Sequence, residues 1–189
     1  YDFGPKWNFE IDGDGNVWKQ TSDFDAHTGN SIVYSESYIN YIGALNPDNY
    51  LVSPQKYMIA EGSMISFYAC AQDENYPYEH FSVEVSTAGN TSADDFTTVS
   101  EWTISAKGSR QGDRTMRQSS WIKYEADLSE YAGQEIYVAL RHFNCTDQFY
   151  LNVDDIEIFA ASETDSSKEG NWMHYDDGSY VDGVGGPAS

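Results

Sequence analysis

The sequence predicts an all-β fold, specifically an antiparallel jelly-roll β-sandwich. Many short segments alternate apolar and polar residues with a period of two, which is typical of half-buried strands. Clusters of Gly, Asn, Asp and Pro separate these segments, as turns do in sandwiches and jelly rolls. No segment carries a sustained helical period, although residues 128–131 are compatible with a single turn. A parallel βαβ architecture is therefore disfavoured.

Four segments show the alternation most clearly, and each places its apolar residues on one face. These faces are Ile65, Phe67, Ala69 and Ala71; Phe81, Val83 and Val85; Ile136, Val138 and Leu140; and Phe149, Leu151 and Val153. Weaker patterns predict further strands at residues 31–34, 50–53, 96–103, 121–128 and 155–159.

The charge of the chain excludes several classes of function. Among 189 residues, 31 are Asp or Glu and 10 are Lys or Arg, which gives a net charge of −21. Nucleic-acid binding and adsorption to anionic membranes both need basic surface. No apolar run approaches the ~20 residues of a membrane-spanning helix, so membrane insertion is not expected. An acidic surface instead suits cations, neutral ligands or basic patches of proteins, and an aromatic content of 15% argues against disorder.

The composition divides the chain into three parts. Residues 1–161 are predicted to form one β-sandwich domain, and residues 162–170 are small and polar like a linker. Residues 171–189 are interpreted as the start of a following module, or alternatively as an extra strand docked on the first domain. The sequence has no initiator Met and no signal peptide, so we expect it to be a piece of a longer protein with neighbouring modules.

Alternating acids near the N-terminus predict a calcium site. Glu10, Asp12, Asp14 and Asn16 stand at every second position, with glycines between the later ones. Hard cations prefer several oxygen ligands, and this spacing resembles the start of a calcium loop. Thr21 stands where a complete EF-hand would place a bidentate Glu, so distant ligands must finish the site. The alternative is an exposed acidic turn.

Asp154 and Asp155 are the predicted distant ligands for this loop. They follow one predicted strand and precede another, and the first and last strands of many jelly rolls are neighbours. Adjacent carboxylates repel each other unless a cation or a hydrogen-bond donor compensates them. The alternative is a solvated β-bulge.

Signals of catalysis are weak, so we expect a non-catalytic module. The sequence has no GxSxG, HExxH or phosphate-binding loop. His80 and His142 fall on predicted strands and are interpreted as structural histidines with satisfied hydrogen bonds. Cys70 and Cys145 either pair with each other or are both free thiols, and the absence of CxxC disfavours structural zinc.

A candidate contact surface lies in two predicted loops. Residues 73–79 place Tyr76 and Tyr78 beside Asp73, and residues 144–147 include Asp147. Tyrosine offers contact area, stacking and a hydroxyl at a low cost in entropy, which serves protein or sugar recognition. Tyr38 and Tyr41 are candidates to join this surface. The alternative is that the tyrosines simply cover the end of the sandwich.

Taken together, six landmarks resemble the cleaved adhesin domain family, the repeated adhesin modules of gingipain proteases and haemagglutinins. The landmarks are Asp12-Gly13-Asp14-Gly15-Asn16 with Trp18, Asn46-Pro47-Asp48-Asn49-Tyr50-Leu51, Cys70-Ala71-Gln72-Asp73, Glu79-His80-Phe81, Arg141-His142-Phe143-Asn144-Cys145-Thr146-Asp147 and Asp154-Asp155-Ile156. The resemblance implies a calcium-containing, galactose-binding-like jelly roll without catalytic activity. It also implies adhesion to host proteins, including haemoglobin and matrix proteins.

Two functional hypotheses follow. The first is an adhesion module of a secreted or cell-surface bacterial protein that binds host extracellular proteins or glycans. The second is a carbohydrate-binding module of a secreted enzyme. An exposed, coplanar pair of rings among Tyr38, Tyr76, Tyr78 and Trp102 would favour sugar binding, whereas buried aromatics beneath an acidic surface would favour protein adhesion.

Overall fold

The computed structural model describes residues 8–10, 16–105 and 118–163, and the chain is strand-rich throughout these ranges. The strands in chain order are β1 (Asn8–Glu10), β2 (Lys19–Thr21), β3 (Ile32–Glu36), β4 (Tyr38–Ile39), β5 (Gly43–Ala44), β6 (Asp48–Val52), β7 (Tyr57–Ala71), β8 (His80–Ser86), β9 (Thr97–Thr103), β10 (Ile122–Asp127), β11 (Glu135–Phe143) and β12 (Tyr150–Glu163). Short 3-10 turns span Ala93–Asp95 and Ser129–Tyr131. The second turn lies where the sequence allowed one. Within the described residues, no helix has the length and apolar character needed to span a bilayer.

The strands form two antiparallel five-stranded sheets, which confirms the predicted sandwich. One sheet has the order β1-β6-β11-β8-β9, and the other has the order β10-β7-β12-β3-β2. The sheets join where the start of β7 pairs with the start of β11, through Tyr57 with Ile136 and Met58 with Glu135. Strands β4 and β5 form a separate small hairpin.

The core lies between the two sheets and includes the predicted apolar faces. All four predicted faces are buried, from Ile65 and Phe67 at 0% exposure to Phe149 at 7%. This agreement follows from the pleat, because alternate residues of a strand point to opposite faces of its sheet. At one edge, Phe67 contacts three other aromatic rings, those of Phe81, Trp102 and Tyr124.

The last strand differs from its prediction in two respects. Strand β12 is continuous across the two predicted segments, with a register shift between Asp154 and Glu157 where Asp155 adopts a φ of 52°. It also continues to Glu163, so Ser162 and Glu163, the first two residues of the predicted linker, pair with β7. The rest of the predicted linker and the predicted following module lie outside the described residues.

Candidate functional site

A cavity of about 340 Å³ opens at one end of the sandwich, between loops that connect the strands. It contains three of the predicted ligand-binding residues, Asp73, Tyr76 and Asp147. Its remaining lining residues are Tyr38, Asn40, Gln148 and Phe149. The structure therefore brings together the two loops that the sequence proposed as neighbours, and it adds the hairpin of β4 and β5. We call residues 38–42, 73–78 and 144–149 the loop end.

Hydrogen bonds within and between the loops hold this arrangement. Asp73 accepts from the backbone N–H groups of Asn75 and Tyr76, through its side chain at 2.9 Å and its carbonyl at 3.1 Å. The backbone N–H of Tyr78, the fourth predicted ligand-binding residue, donates to Oε1 of Gln148 at 3.1 Å. Asp147 is anchored through its own N–H, which donates to the carbonyl of Ser37 at 3.0 Å. The three segments therefore form one connected surface.

Exposed apolar side chains concentrate at the loop end. In the described part of the chain, five large apolar side chains are exposed, and Tyr41, Ile42, Tyr76 and Tyr78 are four of them. Contiguous exposed apolar surface commonly marks an interaction site. Tyr41 also has a φ of 68°, a left-handed conformation that is costly for a bulky residue. Strained backbone of this kind tends to cluster at functional sites.

The ring-pair criterion for sugar binding is only partly met. Tyr76 and Tyr78 are 56% and 50% exposed, but neither has a stacking partner among the rings of the described residues. Trp102 packs against Phe67 and Phe81 at the edge of the core, and Tyr38 contacts Phe149 at a tilt of 49°. The loop end therefore presents single exposed tyrosines and no flat aromatic platform.

Beneath the loop end lies a polar cluster that sequence reasoning did not assemble. The side chains of Glu79 and His142 are fully buried and meet at 2.6 Å between Oε2 and Nε2. Sγ of Cys145 lies 3.3 Å from the same Nε2 and 3.5 Å from the same Oε2. Burial would lower the pKa of His142, but the facing Cys145 and Glu79 raise it to about 10. The imidazole is therefore held as a donor to the carboxylate at neutral pH.

Both strand histidines have the structural role that the sequence predicted. Nδ1 of His142 lies 2.7 Å from Oγ of Ser35. His80 contacts Oγ1 of Thr103 at 2.7 Å and a carboxylate oxygen of Glu101 at 2.9 Å. Each ring therefore has a partner at both nitrogens.

The two cysteines are free, so the disulfide alternative is not formed. Cys70 is buried on β7 beside the side-chain amides of Gln118 and Asn152. Burial raises the pKa of this thiol to about 12, which makes it a poor nucleophile at neutral pH. Cys145 lies instead in the Glu79 and His142 cluster, because its loop leaves β11 on the other sheet.

The predicted calcium loop is closed at its base by one residue of β6. Glu10 pairs with Asn49 across β1 and β6, and the indole N–H of buried Trp18 donates to the carbonyl of Asn49 at 3.0 Å. Glu10 and Trp18, which are eight residues apart in the sequence, therefore both contact Asn49. Asp12 and Asp14 lie outside the described residues, and Asn16 lies just before Trp18.

Asp154 and Asp155 bind a different segment from the one predicted. Oδ2 of Asp154 accepts from the N–H groups of His27 and Thr28, and Asp155 contacts Nδ1 of His27 and Oγ1 of Thr28. Burial raises the pKa of Asp154 to about 6, although backbone hydrogen bonds from Thr28, Asp155 and His27 oppose the shift. The sequence allowed a solvated β-bulge at this position. The structure has a bulge here, but Asp154 within it is buried and hydrogen-bonded.

The register explains why these aspartates do not reach the end of the calcium loop. Strands β2 and β12 pair with opposite edges of β3, through Lys19 with Tyr34 and Val153 with Val33. Trp18 and Asp154 therefore lie on opposite sides of β3 and about three residues, or ~10 Å, apart along it. The structure does not bring Asp154 and Asp155 to Trp18, and their role as metal ligands stays a prediction.

The described residues form an all-β sandwich module with a loop-lined cavity and exposed tyrosines at one end. The profile of the Cleaved Adhesin Domain matches residues 4–158, and the chain belongs to this family. It is 40% identical over 160 residues to Hemagglutinin A of Porphyromonas gingivalis strain W83, and 40% identical over 156 residues to Gingipain R1 of the same species. Each match covers 80% of this chain but only 7% or 9% of the relative's length.

Solved structures agree with this assignment. The K1 and K3 cleaved adhesin domains of Lys-gingipain from Porphyromonas gingivalis W83 superpose with TM-scores of 0.68 and 0.69, at 39% and 37% identity. The matches cover 81% and 85% of this chain, and 89% and 92% of those domains. The predictions of a cleaved adhesin module and of a non-catalytic role are confirmed, because the matches are to adhesin domains.

Proposed function

We propose that this adhesion module serves a secreted or cell-surface bacterial protein and binds host extracellular proteins through the loop end. The observation that carries the proposal is the concentration of exposed apolar side chains around one cavity. Interfaces draw most of their binding energy from a few aromatic anchors surrounded by polar groups. Tyr76 and Tyr78 are such anchors here, with Asp73 and Asp147 beside them.

The charge of the cavity favours a basic partner. Asp73 and Asp147 line it, and none of the described lining residues is Lys, Arg or His. With a net charge of −21, the chain attracts basic protein surface and repels acidic surface. A lysine or arginine of the partner would place its charge between Asp73 and Asp147 and its aliphatic stem against Tyr76.

Glycan binding is a second candidate, favoured by the amides of Asn40 and Gln148 beside Tyr76. Side-chain amides and an exposed ring are groups that recognise sugar hydroxyls and sugar faces. One relative is named Hemagglutinin A, so the erythrocyte surface is the first target to test. This surface carries both proteins and glycans.

Replacing Tyr76 and Tyr78 by alanine is expected to weaken erythrocyte binding by about 1–2 kcal/mol each, roughly 5- to 30-fold, if they are central anchors. Binding is measured by titrating labelled protein onto intact cells. Tyr137→Ala is the matched control, because Tyr137 lies on β11 six residues, or ~20 Å, before Phe143 and the loop end. Equal binding by wild type and the double variant would exclude the loop end as the contact surface.

Enzymatic treatment of the cells separates the two candidate ligands. Protease-treated erythrocytes are expected to lose binding, whereas cells treated with glycosidases retain it. The opposite pattern would assign the module to glycans. Asp73→Asn and Asp147→Asn are expected to reduce both the binding and its dependence on salt, because they remove the charges that attract a basic partner.

We also propose that the loop from Glu10 to Asn16 binds a structural calcium ion. The chemistry of its donors supports this, because Glu10, Asp12, Asp14 and Asn16 supply the hard oxygen ligands that calcium prefers. The closure of the loop at Asn49 also favours binding, since it fixes both ends of the ligand set.

Chelation is therefore expected to lower the melting temperature. A ligand present at about 100 times its Kd and bound only to the native state adds about 2.7 kcal/mol, which for a chain of this size corresponds to roughly 5–10 °C. The combined Asp12→Asn and Asp14→Asn variant should melt at the same temperature with and without chelator. A double variant of the exposed Asp94 and Asp95 removes equal charge and should keep the calcium response. An unchanged wild-type melt would contradict the proposal.

A further inference from the structure

We propose that Glu79, His142 and Cys145 form a binding site for a borderline-soft divalent metal ion such as Zn²⁺. The three residues offer one oxygen, one nitrogen and one sulfur ligand, and these atoms converge on a common point. Zinc binds this mixture of donors, whereas calcium and magnesium avoid sulfur. The site is separate from the predicted calcium loop, and the inference does not depend on the proposed adhesive function.

The distances are close to those that a metal requires. Bonds of about 2.0–2.3 Å in a tetrahedral zinc site place the donors roughly 3.2–3.7 Å apart. The sulfur of Cys145 already lies 3.3 Å from Nε2 of His142 and 3.5 Å from Oε2 of Glu79. The Nε2 and Oε2 atoms are 2.6 Å apart, with a proton between them. Zinc would replace that proton and the thiol proton, and the two ligands would separate by about 0.6 Å.

A second layer of hydrogen bonds orients two of the ligands toward the common point. Nδ1 of His142 faces Oγ of Ser35 at 2.7 Å, which directs Nε2 toward Glu79 and Cys145 at the common point. Oε1 of Glu79 accepts from Oγ of Ser37 at 2.7 Å and from the N–H of Phe149 at 3.0 Å, which leaves Oε2 for the metal. Such outer partners fix the orientation and tautomer of metal ligands in established sites.

Charge balance also favours a divalent ion. Glu79 and His142 are fully buried, and an uncompensated charge in such a place is costly. A thiolate and a carboxylate carry two negative charges, so a divalent cation with a neutral imidazole makes the assembly neutral. Cys145 is half-buried and lies in the loop end, so a metal ion would enter from its side.

The test uses the full chain, reduced, freed of metal and saturated with calcium so that the acidic loop is occupied. Titration with Zn²⁺ is expected to show one site per chain and to protect Cys145 from a thiol reagent. Co²⁺ should give the absorption band of a cobalt–thiolate bond. Cys145→Ser should weaken Zn²⁺ binding at least tenfold and abolish the cobalt band, whereas Cys70→Ser should change neither.

The melting temperatures of both serine variants are measured without metal, which confirms that each is folded. Absence of stoichiometric Zn²⁺ uptake by the wild type would overturn the proposal. Equal uptake by wild type and Cys145→Ser would overturn it as well, because the metal would then bind elsewhere. His142→Gln, provided that it folds, should match the loss seen for Cys145→Ser.

Discussion

Replacing Phe67 by alanine is expected to lower the free energy of unfolding by about 4 kcal/mol. Phe67 is fully buried on β7, and its ring centroid lies 5.8–5.9 Å from those of Phe81, Trp102 and Tyr124. The substitution removes apolar area from the core and leaves a cavity that the two sheets cannot close. It also removes edge-to-face contacts that contribute beyond burial.

Urea denaturation followed by tryptophan fluorescence measures this effect, since Trp102 is one of the contacting residues. Phe96→Ala is the matched control, because Phe96 is half-buried on the outer face of the other sheet, against Tyr50. We expect it to cost about half as much or less, since a smaller area returns to water. Equal losses for the two variants would contradict the full burial of Phe67 in the core.

The extent of agreement between sequence and structure differs along the chain. Where apolar and polar residues alternate, the pattern identifies the strand, as for β8 between His80 and Ser86, although both faces of this strand are buried. Alternation fails at Asp154 and Asp155, where the bulge turns consecutive side chains toward the segment at His27. Such a bulge depends on the register of β12 against β7, which local patterns do not specify.

The candidate sites show the same limit. The loop from Asp73 to Glu79 was identifiable because its tyrosines and acids are contiguous, whereas Glu79 and His142 are 63 residues apart. They meet because β8 pairs with β11, with Phe81 opposite His142. The three-residue spacing of His142 and Cys145 was the available signal in the sequence. Two ligands alone do not indicate a metal site, and the third, Glu79, is distant in the sequence. Topology, and not composition, assembles this cluster.

Replacing Glu79 by glutamine is expected to destabilise the protein by about 3 kcal/mol, despite the nearly identical shape. The carboxylate accepts from four donors, namely Oγ of Ser37, the N–H of Phe149, Nε2 of His142 and Sγ of Cys145. An amide has one acceptor oxygen, so in either orientation its NH₂ group faces donors at a fully buried position. The unfolding free energy is measured with chelator present, so that no metal contributes.

Glu101→Gln provides the matched control, because Glu101 also contacts a histidine ring nitrogen, that of His80 at 2.9 Å. Its side chain is 53% exposed, so water replaces whatever the substitution removes. We expect a loss of about 0–0.5 kcal/mol there. Equal stability of Glu79→Gln and Glu101→Gln would contradict this explanation. It would mean that water reaches the cluster beneath the loop end as easily as it reaches the surface pair of His80 and Glu101.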